Sequence, residues 1–268
     1  MTNLEYQYII QTLRNYFINL EYVEVETQSK LSVLSACESP DSITPFLWRG
    51  ITYPMIQTGQ MRLEKELLAN PDHKGVFCQT TSYRQEPNPI AGRHEDVFSM
   101  FEFEGRGTIA DLWNIEEDLM NLFMFPKQSY LTYKDAKIIT NSNDIGAAEE
   151  EYLWKNYSPT IFLMEFPTES NPFFNMKQNA NHTYAKTDVI LYGYETIGSA
   201  ERETDVNKMY HQFNTISDGE YANKLFSLFG KDRVIKELEE FLALPMVPRF
   251  GGGLGLGRLA RALRLKSI

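Results

Sequence analysis

Cysteine is nearly missing from this chain of 268 residues: Cys37 and Cys78 are the only two, and they form no C-x-x-C pair. Two isolated thiols exclude a disulfide framework and fit a reducing, cytoplasmic setting. Histidine is as sparse. His73, His94, His182 and His211 lack the short spacing of zinc ligands, so no structural zinc is expected. No uncharged apolar run approaches the length of a membrane span, so no membrane partner is expected. The opening MTNLEYQYII has no basic region ahead of an apolar core and is not a signal peptide. Positive charge is also short, since 26 Lys and Arg stand against 36 Asp and Glu, a formal net charge of -10. A protein built to coat nucleic acid needs a basic surface to neutralise phosphates, and this one has only room for a local basic groove. Internal repeats, low-complexity stretches and linkers are absent too. Residues 1–268 are therefore expected to form a single domain with a substantial core.

What is present reads as helices packed on strands. Tyr6, Ile9, Ile10, Leu13, Phe17 and Leu20 recur at helical spacing over residues 4–20. Tyr22 to Glu26 alternates like a half-buried strand, and residues 29–50, with Pro40 and Pro45, read as a long loop able to cover a site. A helix is expected from Arg62 to Asn70, with Glu64 and Glu66 solvated. Thr108 followed by Asp111 marks a helix start running to about Met124. Residues 127–160 are mixed, with a helix near Ala147–Trp154. Ile161–Phe166, Asn171–Lys177, Thr187–Tyr192 and Tyr194–Ile197 read as strands, and Ser217–Phe229 and Lys231–Leu244 as consecutive helices. Hairpins dominate the middle, so the expected class is α+β: a mainly antiparallel sheet flanked by helices.

Three stretches carry chemistry. Phe77 to Glu104 reads as an antiparallel hairpin with a long connection through Pro87, Pro89 and Gly92. Arg84 and Glu86, two apart, share a strand face, and the connection brings Arg93 and His94 toward them. A cation beside a carboxylate, with further cations on a flap, suits gripping a phosphate while bonding a base or an amine. Asp188 and Glu195 are seven apart around Gly193, where a bulge would bring both carboxylates to one side, as Mg²⁺ binding requires. Beyond them, Gly198 and its small neighbours let backbone approach a ligand, and Arg202 is placed to fork onto a carboxylate or amide. Finally Gly251, Gly253, Gly255 and Gly257 leave one strand face bare before Arg258, as a flat ligand lying against backbone requires. The stretch is neither a Walker loop nor a dinucleotide fingerprint.

In this order the pieces resemble the catalytic domain of class II aminoacyl-tRNA synthetases. The likeness is to the aspartate/asparagine/lysine subgroup and the archaeal asparagine synthetase of that branch, and it covers nearly the whole chain. Tyr83-Arg-Gln-Glu86 with Arg93, His94 and Phe98 is similar to the family's second motif, and Arg258 after the glycines to its third. Asp188 and Glu195 match its metal- and ATP-binding acids, and Thr58-Gly-Gln-Met61 resembles its S-G/P-Q-L segment. The resemblance implies that Arg84 holds the α-phosphate and the substrate carboxylate, and that Glu86 contacts adenine or the amino group. His94 and Arg258 would meet the β- and γ-phosphates, with Arg258 covering the adenine opposite Phe98. Gln60, beside Thr58, would take the substrate α-amino group, and Arg202 its side-chain end.

The implied activity is that of an ATP-dependent ligase using ATP and Mg²⁺. It would form an aminoacyl adenylate of an asparagine- or aspartate-like substrate, with AMP and pyrophosphate as products. A homodimer is implied too. The chain departs from the family pattern at Gln28 (usually Pro), Val97 and Gly257 (usually acidic) and Leu63, where aspartate-specific members carry Lys. With no anticodon-binding domain ahead of the first helix, the expected acceptor is ammonia, an amine or a carrier. Two readings stay beside it: a non-catalytic amino-acid or ATP-binding regulator, and aminoacylation of tRNA without anticodon reading.

Overall fold

The computed structural model describes residues 1–27, 30–33, 40–170 and 173–267. Gln28, Cys37, the middle of the expected 29–50 loop and the start of the expected 171–177 strand lie outside the described residues. Helix α1 (Asn3–Asn19) opens with a reciprocal cap. Thr2 Oγ1 accepts from Glu5 N at 3.2 Å, and Glu5 Oε2 accepts from Thr2 N at 2.6 Å. Two donors that the first turn would leave open are thereby satisfied. The helix is followed by β1 (Val23–Glu24), then by the hairpin β2 (Pro45–Trp48) and β3 (Ile51–Pro54). That hairpin lies partly inside the expected loop. It reverses at Arg49 and Gly50, both with positive φ, the backbone that a two-residue hairpin turn needs.

Helix α2 (Gln60–Ala69) precedes β4 (Gly75–Tyr83) and β5 (Val97–Arg106), followed by α3 (Ile109–Leu122) and β6 (Ser129–Thr132). Next come α4 (Tyr133–Thr140), α5 (Ala147–Asn156), β7 (Thr160–Pro167), β8 (Thr183–Leu191) and β9 (Tyr194–Glu201). The chain continues through α6 (Val206–Thr215), α7 (Glu220–Phe229), α8 (Lys231–Leu242), β10 (Arg249–Gly255) and α9 (Leu256–Lys266). Helix α6 was not among the expected elements, although Asp205 caps it by accepting from Asn207 N and Lys208 N. Residues 173–177 form no strand. They turn and meet the sheet through the bridge of Met176 to Arg202 and through Lys177, whose carbonyl accepts from Ala185 N at 3.0 Å and whose ammonium donates to Glu201 at 2.5 Å.

Eight strands build one sheet in the order β1-β4-β5-β10-β9-β8-β7-β6. Its outermost pairs, β1–β4 and β6–β7, are parallel, and every pair between them is antiparallel. The glycine-rich β10, although late in the chain, inserts between β5 and β9 at the centre. Alternation along β5 divides the sheet's faces. Phe101 and Phe103 enter the core with Phe77, and Phe17 of α1 sits on all three at ring distances of 5.0 to 5.7 Å. Each such buried ring contributes roughly 2–3 kcal/mol. Glu102 and Glu104 take the opposite face. Over β4 on that side lie Leu63 and Leu67 of α2, packed with Val76 and Cys78. Helices α6, α7 and α8 close a second core around Phe174, Phe213 and Phe241.

Candidate active site

On the face that carries Glu102 and Glu104, a cavity of about 460 Å³ opens above β5, β10 and β9. Thr58, Gln60, Arg84, Glu86, His94, Phe98, Glu195, Gly198, Arg202 and Arg258 all line it. Asp188 does not. The sheet order explains how such distant residues converge. Strand β5 brings the loop before it, β9 brings Glu195 and Gly198, and β10 delivers Arg258 at the start of α9.

One end is cationic. Strand β4 stops at Tyr83, so Arg84 and Glu86 stand in the connecting loop and not on a strand as expected. Arg84 N is held by Asp96 O at 2.8 Å, and its guanidinium lies 5.3 Å from the Phe98 ring centre. Its Nε is a buried donor without a partner, which is costly unless a ligand answers it. His94 Nδ1 accepts from Ile90 N at 3.2 Å, which leaves Nε2 as the N–H donor. Burial, and next the Arg258 charge, hold this imidazole below its usual range. Arg258 donates to Glu195 O at 2.6 Å. Arg93, expected beside His94 as a second phosphate grip, is committed elsewhere. It donates to Glu150 at 2.5 Å and to Gly193 O at 3.0 Å, and stacks 4.4 Å from the Tyr194 ring centre.

The two expected metal carboxylates sit on the hairpin of β8 and β9. The chain reverses at Tyr192 and Gly193, both at positive φ, and the ladder shifts register between Val189 and Ile190. A two-residue turn at Tyr192 and Gly193 and a bulge at Thr196 of β9 therefore replace the single bulge at Gly193. Asp188 is 7% exposed and gives one oxygen to Lys186 at 2.6 Å, while its Oδ1 has no partner. Burial pushes its carboxyl up to about 7 against the pull of Lys186.

The other end holds groups the sequence reading passed over. Glu102 accepts from Gly59 N at 2.8 Å and from the hydroxyls of Thr58 and Thr80. Arg202, expected to be ready for a ligand, already donates to Glu104 at 2.5 Å. Glu104 is wholly buried, and burial raises its carboxyl to about 7 although Arg202 opposes the shift. Glu104 also accounts for a glycine. A Cβ on Gly251 would stand 2.1 Å from Glu104 Oε1, so that part of the bare strand face is filled by the protein's own carboxylate. Glu64, expected in solvent, is wholly buried beneath Gln60. The signal for Glu102 and Glu104 was their alternation with phenylalanines, which places two acids on one face of a central strand. Glu64 offered none, because its burial depends on β10.

A family model described as tRNA synthetases class II (D, K and N) matches residues 3–268. The chain belongs to this family. A probable cytoplasmic asparagine–tRNA ligase of Enterocytozoon bieneusi is 25% identical over 247 residues, covering 76% of this chain and 52% of the relative. Asparaginyl-tRNA synthetase of Pyrococcus horikoshii, solved with asparaginyl-adenylate, superposes with a TM-score of 0.78 at 21% identity. That match covers 96% of this chain and 64% of the other. The Entamoeba histolytica asparaginyl enzyme with asparaginyl-adenylate gives 0.77 at 19%, covering 95% and 62%. A putative aspartyl-tRNA synthetase of Leishmania major Friedlin gives 0.76 at 15%, covering 96% and 61%. The chain thus has the class II synthetase catalytic fold and spans about half the length of the curated relative it matches.

Proposed function

We propose that this chain activates an asparagine-like amino acid with ATP, forming the aminoacyl adenylate and releasing pyrophosphate. The observation that carries the reading is the single cavity with Arg84, His94 and Arg258 at one end and Arg202 paired with Glu104 at the other. The substrate carboxylate would attack the α-phosphorus in line. Its oxygen forms the new P–O bond as the bond to the pyrophosphate oxygen breaks. Arg84 would hold carboxylate and α-phosphate together, its open Nε meeting the charge that builds up between them. His94 Nε2–H and Arg258 would hold the departing phosphates, and Phe98 would carry the adenine with Glu86 at its edge. Gln60 and Thr58 would face the α-amino group. Such catalysis rests on positioning and fixed charge, with no covalent enzyme intermediate.

Glu195, which lines the cavity, and Asp188 behind it, whose buried Oδ1 has no partner, are the residues that would hold Mg²⁺. Hard carboxylate oxygens and phosphate suit that ion, which would withdraw charge from the phosphates. The specific acceptor we favour is not tRNA but ammonia, an amine or a carrier, on the ground that a net charge of -10 disfavours an RNA-binding surface. Transfer to tRNA is the second reading, supported by what the relatives are named for; retention of total tRNA on a filter with this protein would favour it. A homodimer and a single domain complete the proposal.

ATP–pyrophosphate exchange with Mg²⁺, screened over twenty amino acids without tRNA, is the test. Exchange with asparagine, reduced on the order of 100-fold or more in Arg84→Ala and Arg258→Ala with the fold intact, is expected. No exchange with any amino acid, alongside measurable ATP binding, would replace the ligase by a nucleotide-binding regulator.

A further inference from the structure

Under the amino-acid end of the cavity runs a chain of four buried ions. Glu104 takes the Arg202 guanidinium at 2.5 and 3.2 Å. Arg202 Nε stands 3.8 Å from Glu64 Oε1. Glu64 Oε2 accepts from Arg249 Nε at 3.0 Å and from its second terminal nitrogen at 2.8 Å. Glu64, Glu104 and Arg249 are wholly buried, and Arg202 is 2% exposed. Only Glu104 and Arg202 of the four reach the cavity wall. Glu64 does more than pair with arginines. Its Oε1 accepts from Gln60 Nε2 at 2.8 Å and from Asn175 Nδ2 at 2.6 Å. Gln60 lines the cavity, and with that nitrogen committed to Glu64 its amide oxygen is the atom left to accept from an ammonium.

Two guanidiniums and two carboxylates leave this cluster neutral. We propose that Glu64 and Arg249, which touch no substrate, set the side-chain selectivity of the site: by keeping the cluster neutral they admit a carboxamide and reject a carboxylate. The inference rests on the amino-acid-binding reading above. A carboxamide adds no charge, gives its N–H to Glu104 and takes a hydrogen bond from Arg202. A carboxylate of the same shape sets an oxygen against Glu104 with no proton between them, and it adds an anion where Arg202 and Arg249 are already matched by Glu104 and Glu64 and Glu102 also lines the wall. Leu63, at the cavity wall and wholly buried, supplies no cation. A buried charge without a counter-charge is strongly disfavoured, and a clash of this kind discriminates better than any gain in contact.

Moving one charge beneath the site should therefore move the preference. Glu64→Gln keeps an acceptor oxygen for Gln60 and Asn175 but leaves the cluster with one positive charge in excess. Glu64→Gln combined with Arg249→Gln restores neutrality. Titration calorimetry of L-asparagine and L-aspartate at pH 8, where Glu104 is ionised, compares the wild type with both, thermal unfolding confirming the fold of each. The expected result is an asparagine-over-aspartate ratio at least tenfold lower in the single variant and returned toward wild type in the double. If Glu64→Gln does not fold, Arg249→Gln alone carries an excess negative charge and should widen the ratio. An unchanged ratio in the single variants overturns the inference, as does an equal change in single and double, which would mean shape and not charge. Asparagine binding without adenylate formation would sink the ligase reading alone; binding of neither amino acid overturns both.

Discussion

Ser199 and Glu116 show how a single proton is fixed under this site. The Ser199 hydroxyl lies 2.6 Å from Glu116 Oε1 and 2.9 Å from the Thr187 carbonyl, and it has one proton for two acceptors. A neutral Glu116 resolves the conflict by donating to Ser199, which then donates to Thr187. Burial, with Asp188 nearby, pushes the Glu116 carboxyl from 4.5 up to about 8, against the Ser199 hydrogen bond. Folding therefore keeps a proton that the unfolded chain gives up above pH 4.5. The stability it contributes is whole below that pH and is lost as pH rises toward 8, by up to roughly 1.4 kcal/mol per pH unit. Glu116→Gln, neutral throughout, should melt close to wild type at pH 4.5 and progressively above it by pH 8, in metal-free buffer. A Tm difference that stays flat with pH would show that Glu116 is ionised in the folded protein.

At the scale of elements, the connection between β4 and β5 matters most, because it carries Glu86 and His94 yet has no ladder of its own. Its anchor is Arg93, tied to α5 through Glu150 and to the β8–β9 turn through Gly193 O. Glu150 also accepts from Glu195 N at 2.7 Å, so one carboxylate joins three elements. Glu150→Ala would leave the Arg93 charge without its partner and loosen the loop. The Michaelis constant for ATP should rise about tenfold while that for the amino acid holds, with faster hydrogen exchange over residues 84–96. Unchanged exchange there would remove Arg93 as the anchor. Alternation and turn residues were enough to read the β4–β5 hairpin and the capped start of α3. The α5 anchor was not legible, since a helix's existence says nothing about which loop its Glu150 will meet.

For the whole molecule, the central place of β10 decides the most. Inserted between β5 and β9, it brings Arg249, Gly251 and Arg258 against residues more than forty positions away. The described surface also leaves the β2–β3 hairpin unusually apolar, with Leu47 72% and Trp48 55% exposed. The proposed homodimer predicts a light-scattering mass of two copies of the 31.0 kDa chain, and a monomer across the micromolar range would refute it.

Local pattern alone was sufficient for the α+β class, the helix stripes of α1 and α3, and the hairpins β4–β5 and β8–β9. These follow from periodicities of 2.0 and 3.6 and from turn chemistry, which act over a few residues. Only the tertiary structure decided that Glu64 is buried, that Arg93 is an anchor, that Asp188 leans on Lys186 and that Arg202 is already balanced by Glu104. Charges become neighbours through sheet order, and Coulomb energy and burial act across space with no trace in local sequence.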